Sequence, residues 1–488
     1  MTLYKIETYL NTKIKCDPDI VKQLPRIYLS AYTNNPINAF LIAPSSEGKS
    51  YAVVQTSEIF PSEDVVLIGR MSPTAIIHQN GFLIDKDGFS IQDSIDLFDE
   101  KIVEAKSKQE SEELVRQKND LMKDARICID LKNKILIFLD NPHPQTYEML
   151  KPIMSHDKRE LVYKTTKGDG SLKVKEAVIR NWPVFIFCSA KNEAKHEVWS
   201  EMRNRVMILS PNTDVQKYEE ANKLTGQKFG LPTWSKSLYD NADNEKISKD
   251  EIKNLKEKLN QLCVDENNPV INAYQNKLSE LFPKNTAESM RHYTRFLSLV
   301  NLETLLNADS NPSMTHQKDG NKIKSVFTTI NDIENALKIM GNISTLPPDK
   351  IKFMDKIFKP LLSEVLDSEN GLTTNQLAEK YTLVFGKPIT PKQIQENYCN
   401  YLEESGILSS DQEHIRGEKH YKIASSITLD NLDSLKSNLI EPSNQNDSGV
   451  DLCLKELEEC SIHLGFTDRF YEYDNRIITL EELKKILL

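Results

Sequence analysis

The chain has 488 residues, with 62 Lys or Arg against 72 Asp or Glu and a net charge of −10. That length accommodates about two to four domains, and the acidic balance excludes a chain-wide basic footprint for nucleic acid, so any such contact must come from a local patch. No run of 18 apolar residues is present, Met1–Glu7 lacks the apolar stretch of a signal peptide, and the seven cysteines include no pair at two-residue spacing; the expectation is a soluble, cytoplasmic chain with no membrane contact, disulfide framework or zinc site.

Residues 1–35 read as a helical segment, because Ile20, Val21, Leu24, Ile27, Tyr28 and Ala31 recur at helical spacing before Pro36. Its expected job is to pack on the core that begins at Pro36. Ala39-Phe40-Leu41-Ile42 reads as a buried strand, Ala43 to Ser50 fits the phosphate-loop pattern, and Tyr51 to Thr56 continues as a helix. In such a loop the backbone N–H groups around Ser45, Ser46, Glu47 and Gly48, with the first helical turn through Tyr51, cradle phosphate oxygens. Lys49 reaches the terminal phosphates as a point charge, and the Ser50 hydroxyl is an oxygen ligand suited to Mg²⁺.

Downstream, Asp64 to Ile68 reads as a second strand, and Ser72-Pro73 opens a helix in the manner of a cap followed by Pro at the first position. Residues 91–126 are rich in Asp, Glu, Lys, Gln and Ser with sparse apolar positions, the pattern of a solvated helical insertion. Lys134 to Leu139 is an apolar strand ending in Asp140, which suits an acid that holds a nucleotide's metal ion. Two alternating runs around Gly168-Asp169-Gly170 predict a β-hairpin over about 160–179. Residues 158–180 carry seven basic groups, Lys164, Lys167, Lys173 and Lys175 among them, against three acids; such a strip can track the phosphates of a single strand. Trp182 to Ala190 reads as a buried strand ending at Ser189, and Arg203 and Arg205 precede a short apolar strand. Alternating strands and helices argue for a parallel α/β sheet.

From 213 the pattern turns helical, and Thr286 to Phe296 reads as a capped helix with Arg291 and Arg295 one turn apart on one face. Asn311 to Asn321 reads as a polar connection, followed by a short strand from Ser325 and a helix to Met340. Helices over 374–381 and 390–404, then turns through Gly406 and Gly417, read as a winged helix, with Lys392 set against Glu396, Glu403 and Glu404. A linker over 431–449 and a short apolar tail over 450–488 complete the chain, the tail being suited to docking on a neighbour or partner.

Taken together, Ala43 to Ser50, Leu136 to Asp140, the hairpin, Ser189, Arg203/Arg205 and Arg291/Arg295 resemble the AAA+ ATPases, in the order of the clade that includes the MCM and viral superfamily 3 helicases. The likeness covers about 36–310, and the winged helix behind it adds to an MCM-like layout. The resemblance implies an α/β fold: a P-loop AAA+ parallel-sheet core over 36–212, a helical lid over 213–345 and a winged helix over 346–430. It implies ATP and Mg²⁺ at Lys49, Ser50 and Asp140. Ser189 or Asn192 matches sensor 1, Arg205 or Arg203 resembles an arginine finger acting on a neighbour's nucleotide, and Arg291 or Arg295 resembles sensor 2. The activity implied is that of a homo-oligomeric ring, a hexamer, moving on single-stranded DNA as a helicase-like replication motor, with the winged helix or tail open to a protein partner. An origin-binding or loader switch shares these parts. Asp140 is followed by Asn141, not by the Glu usual in the family; Asn accepts no proton, which suits slow hydrolysis, a substitute base such as Glu47, or a nucleotide-dependent scaffold.

Overall fold

A computed structural model describes residues 2–43, 46–69, 71, 81–105, 107–123, 125–140, 142–166, 174–189, 202, 205–212, 215–230, 232, 247–263, 269–282, 287–318, 321–341, 348–364, 371–386, 388–404, 408–412, 419–423, 449–463 and 468–488. Two helices, α1 (Thr2–Lys13) and α2 (Pro18–Ser30), lead into strand β1 (Ala39–Ile42) and helix α3 (Lys49–Ser57). Then come β2 (Val65–Ile68), β3 (Phe82–Ile84), α4 (Gln92–Glu104), α5 (Lys108–Met122), β4 (Arg126–Asp130), β5 (Ile135–Phe138) and α6 (Pro144–Met154). The hairpin strands β6 (Glu160–Thr166) and β7 (Val174–Arg180) precede β8 (Val184–Ser189), β9 (Met207–Leu209) and α7 (Val215–Gly230).

The central sheet is entirely parallel, in the order β2-β5-β8-β1-β9. Its inner strands are short apolar runs buried on both faces, as parallel sheets covered by helices require. Side-chain alternation divides them cleanly. Ala39, Leu41, Ile135, Ile137, Val184 and Ile186 face a core shared with α1, α2 and α3. Phe40, Leu136, Phe138, Phe185 and Phe187 face the other side, against Tyr147, Leu150 and Ile153 of α6. The inner rings stack, with Phe187 centred 5.0 Å from Phe138 and 5.8 Å from Phe40.

A second sheet, β3-β4-β7-β6, joins the inserted segment to the hairpin, because β4 runs parallel to β7. Sequence pattern does not reveal β3 or β4; Gly81 beside them permits the close approach, since a Cβ there would lie 2.2 Å from the Cys128 carbonyl oxygen. The inserted helices α4 and α5 are largely solvent-exposed, as their composition anticipates. The Ser72 helix start and the Gly168 turn lie outside the described residues.

Beyond α7 come α8 (Lys249–Leu262), β10 (Val270–Ile271), α9 (Gln275–Leu281), α10 (Ala287–Leu306), β11 (Ser313–Lys318), β12 (Asn321–Phe327) and α11 (Ile330–Gly341). The region over 213–345 is therefore mixed α/β where the sequence reads as a helical lid, and the stretch read as a polar connection contains β11. The reason is pairing on both sides, local with β12 and long-range with the tail. β11 lies between β12 and a strand contributed by the tail, β16 (Asp468–Tyr473), in a sheet ordered β10-β12-β11-β16-β17 that ends in Arg476–Ile478. The tail docks on its own chain: Leu454, Ile478, Leu483 and Leu487 enter the core that reaches back to α1 and α2, and the Tyr274 hydroxyl donates to the Leu487 carbonyl.

Between α11 and the tail, residues 348–423 form a separate cluster with its own core of Phe353, Ile357, Leu377, Ile394, Leu402 and Tyr421. It contains a helix over 348–364, β13 (Leu372–Thr373), helices over 374–385 and 391–404, and the hairpin β14 (Leu408–Gln412) and β15 (Lys419–Ile423), with sheet order β13-β15-β14. Thr373 and Thr390 each cap a helix through a reciprocal capping box. No helix among the described residues is long and apolar enough to cross a membrane.

Candidate functional site

The loop after β1 leaves the carboxyl edge of the central sheet. Gly48 takes the left-handed conformation (φ 79°, ψ 13°) and opens α3 with no side-chain cap, so the first N–H groups of that helix have no capping side chain. Uncapped N–H groups at a helix start, together with the helix dipole, favour an anion. Ser46 is also left-handed, at φ 70°, a conformation that costs a residue with a Cβ roughly 1 kcal/mol or more. Lys49 is buried, and its ammonium donates to the Ala43 carbonyl across the loop at 2.7 Å. Burial pulls its pKa below the usual lysine value.

The neighbouring strands deliver the other groups to the same edge. Ile42 pairs with Ser189, and Phe138 of β5 pairs with Phe187, so Asp140 and Ser189 each lie two residues beyond that aligned pair on adjacent strands. Ser189 is buried and its carbonyl accepts from Ala43 N at 3.4 Å, while Asp140 is exposed. Ser50 hydrogen-bonds Cys188, whose thiol is pushed up to about 12 by burial. Ser50 and Asp140 supply a hydroxyl and a carboxylate, hard oxygen donors of the kind Mg²⁺ takes. Ser45, Asn141, Asn192 and Arg203 lie outside the described residues.

Sequence pattern gives no sign of the residues that brace this loop. Lys217, at the start of α7, donates to the Glu47 carbonyl at 3.2 Å, to Asp17 Oδ2 at 2.7 Å and to the Asn212 carbonyl at 2.9 Å. The next residue, Tyr218, places its hydroxyl 2.9 Å from both Glu47 carboxylate oxygens. The Tyr51 hydroxyl donates to the Lys13 carbonyl at 3.2 Å. Asp17 is almost fully buried, and burial raises its pKa against the pull of Lys217.

The arginines gather elsewhere. Arg205, Arg291 and Arg295 line one cleft of about 260 Å³ with Ser155, His156 and Asp157. Arg205 Nε donates to Ser155 Oγ at 2.8 Å, and Arg295 Nη1 donates to the Val206 carbonyl at 2.6 Å. Asn38, just before β1, closes the floor: its carbonyl accepts from Met207 N at 2.7 Å and its Oδ1 accepts from Phe185 N at 3.0 Å. All of this sits at the amino edge of the strands. From Asn38 to Ala43 is five strand steps, roughly 17 Å at about 3.3 Å per residue, so the loop and the arginines occupy opposite edges of one sheet. Arg291 and Arg295 are thus brought to Arg205, not to Lys49. Burial, followed by the charge of Arg291, lowers the Arg205 pKa.

Beside this cleft His156 stacks on Trp182 with centroids 4.8 Å apart, and Arg159 lies 4.8 Å from the same indole. Burial and, secondly, Arg159 lower the His156 pKa to about 4. On the hairpin, Lys164 pairs with Glu176 at 3.0 Å and Arg180 with Glu160 at 2.8 Å, which neutralises part of the basic strip. Lys175 lies on β7 opposite Thr165, and Lys167 and Lys173 lie outside the described residues. No model of a known protein family and no curated protein sequence matches the chain.

Proposed function

We propose that the chain is a P-loop nucleoside triphosphatase of the AAA+ kind, assembling head to tail into a ring, a hexamer, that moves on single-stranded DNA as a helicase-like motor. The observation that carries this reading is the placement of two complementary sites on opposite edges of one sheet. The loop strand β1 lies between β8 and β9, the strand leading to Asp140 lies on the far side of β8, and the arginines stand at the opposite ends of the same strands. One chain cannot close both sites on one nucleotide. A head-to-tail contact, in which the amino edge of one copy meets the carboxyl edge of the next, joins them and repeats into a ring.

In this reading Lys49 and the loop N–H groups bind the phosphates of ATP, and Ser50 and Asp140 would hold Mg²⁺, which when bound neutralises phosphate charge. Ser189, one strand from the loop, orients the attacking water. Arg205 of the adjoining copy, supported by Arg291 and Arg295, stabilises the charge that develops as the terminal phosphate leaves. The β6-β7 hairpin supplies Lys164, Lys167, Lys173 and Lys175 to DNA in the ring's channel. Residues 348–423, in the order helix, strand, helix, helix, hairpin, fit a winged helix that contacts DNA or a protein. The cytoplasm is the compartment this activity suits.

The test is ATP hydrolysis by the purified chain with and without single-stranded DNA, beside mass photometry. Hydrolysis stimulated by DNA in an ATP-dependent oligomer is the expected result; a monomer that neither binds nor hydrolyses ATP overturns it. Asn141 favours a second reading, a switch or scaffold of the origin-binding or loader kind: ATP-dependent assembly on DNA with phosphate release near background selects that reading instead.

A further inference from the structure

We infer that Lys217 is a positioning residue of the phosphate loop: by drawing the Glu47 carbonyl outward it turns the Gly48 amide inward, toward the phosphate oxygens of a bound nucleotide. This rests on the reading of Ala43 to Ser50 as a nucleotide site. A peptide unit is planar and trans, so the C=O of Glu47 and the N–H of Gly48 point in opposite directions. Fixing one aims the other. The ammonium of Lys217 has three protons, and the acceptors it reaches among the described residues are the Glu47 carbonyl at 3.2 Å, Asp17 Oδ2 at 2.7 Å and the Asn212 carbonyl at 2.9 Å. Its side chain is 12% exposed and that of Asp17 is 3% exposed, so water competes little for these bonds.

The loop requires such a tie. Left-handed residues flank Glu47 on both sides, Ser46 at φ 70° and Gly48 at φ 79°; glycine takes this conformation freely, but at Ser46 it is strained, and strained backbone persists only where surrounding contacts fix it. A cation on the carbonyl also polarises the whole peptide, which makes the Gly48 N–H a stronger donor. The anchor is itself anchored: Asn212 N donates to Asp17 Oδ2 at 3.1 Å, and Asn212 Nδ2 donates to the Cys16 carbonyl at 3.0 Å. Lys217 thus ties the loop to the start of α2 and to the segment leaving β9. The Tyr218 hydroxyl donates to the Glu47 carboxylate and adds a second tie to the same residue. Affinity for a phosphate chain is therefore set in part by a lysine that does not touch the nucleotide.

The experiment compares full-length wild type, Lys217→Met, Lys217→Arg, Asp17→Asn and Tyr218→Phe. Fluorescent ADP and ATP analogues give affinities, and ¹⁵N-glycine spectra of the nucleotide-free chain report the Gly48 amide among 16 glycines. Lys217→Met should weaken ADP and ATP equally, by several-fold and at most roughly tenfold, because the bond it removes exists with and without nucleotide and only part of its worth goes to aiming the Gly48 amide. It should also shift the Gly48 amide proton upfield. Lys217→Arg should recover part of both effects, and Tyr218→Phe should cost less than about threefold, since it leaves the carbonyl bond in place. Asp17→Asn guards against misfolding: it removes the ion pair but keeps an ammonium on the Glu47 carbonyl, so its affinity should stay near wild type even if its Tm falls. Equal losses in Asp17→Asn and Lys217→Met would overturn the inference in favour of a loosened fold. Loss of ATP affinity far greater than loss of ADP affinity would overturn it in favour of direct contact with the terminal phosphate. An unmoved Gly48 amide would also overturn it. Wild-type chain that binds neither nucleotide overturns the nucleotide-site reading itself, a failure distinct from a wild type that binds while Lys217→Met binds equally well.

Discussion

The two edges of the central sheet carry positive charge at different densities, although at both the cations donate to the chain's own acceptors, Arg205 to Ser155 and Arg295 to the Val206 carbonyl at the amino edge. At the carboxyl edge each cation is held by the chain's own acceptors: Lys49 by the Ala43 carbonyl, Lys217 by Asp17 and two further carbonyls. At the amino edge three guanidiniums converge on one cleft whose lining carries the carboxylate of Asp157, and the charge of Arg291 presses on Arg205. The first spaces its two lysines among separate acceptors and leaves the first N–H groups of α3 without a capping side chain. The second carries positive charge that an outside anion would offset. A sheet about 17 Å from edge to edge keeps them apart, so under the proposed reading the arginines would meet the loop's nucleotide only in a second copy.

That contrast is most sharply tested at Arg205. Arg205→Ala should leave nucleotide affinity within about twofold and lower hydrolysis by roughly 10³ to 10⁵, the usual worth of an arginine supplied to a phosphoryl transfer. Mixed with Lys49→Ala protein it should regain part of the activity, because each copy supplies the edge the other lacks. Co-assembled mixtures with no recovery would break the two-edge scheme. The loop side has the smaller effect: Lys49→Ala removes about two charge-assisted hydrogen bonds at about 1.5 kcal/mol each, so ATP affinity should fall roughly 100-fold. Equilibrium dialysis that finds ATP affinity within a few-fold of wild type would place the phosphates elsewhere.

How much of this is legible in the sequence depends on how local each cause is. The strand, loop and helix around Ala43 to Ser50, the hairpin around Gly168 and the helices on either side of Pro391 are set by neighbours within about ten residues, and pattern alone locates them. β11 is different. Its sequence Ser313-Met314-Thr315-His316-Gln317-Lys318 is polar and carries no strand period, and it is held as a strand by its chain neighbour β12 on one side and by Asp468 to Glu472, far later in the chain, on the other. The tail reads as a docking element, but sequence does not say that its dock is on the same chain. Arg291 and Arg295 are recognisable as a pair; their position beside Arg205 follows from where α10 packs. Lys217 has no motif to mark it, since its three acceptors come from three separated segments.

The hairpin offers a further, smaller test, because its basic strip belongs to neither edge. Glu176 and Glu160 already pair with Lys164 and Arg180, so neutralising Lys164, Lys167, Lys173 and Lys175 together should flatten the salt dependence of single-strand binding by less than about 0.7 per residue. ATPase activity without DNA should survive and its stimulation by DNA should disappear. Neutralising Lys392 and Lys419 should matter less, since Lys392 lies 3.8 Å from Glu396 and Lys419 3.4 Å from Glu403. Binding lost in the second variant and kept in the first would move the DNA site from the hairpin to residues 348–423.

The smallest expected effect lies at the amino edge and concerns pH. His156 is held neutral: burial first, and then Arg159, bring its pKa from 6.5 to about 4, and its Nε2 finds no hydrogen-bond partner among the described residues. Below pH 6.5 the unfolded chain takes up a proton at this imidazole that the folded chain refuses until about pH 4, so stability falls across that window and the loss is complete below it. Each tenfold change in proton affinity is worth about 1.36 kcal/mol, which sets the loss near 3 kcal/mol at most, or a few degrees of Tm in a chain of this size. His156→Gln, which keeps a planar polar group beside Trp182 but cannot take up the proton, should lose less Tm than wild type as the pH falls from 6.5 to about 4 and match its trend at higher pH. An anion in the neighbouring arginine cleft should shrink the difference, since negative charge there favours the imidazolium and raises the folded pKa. Parallel Tm profiles for the two proteins, with and without inorganic phosphate, would mean that burial at the amino edge does not hold His156 neutral.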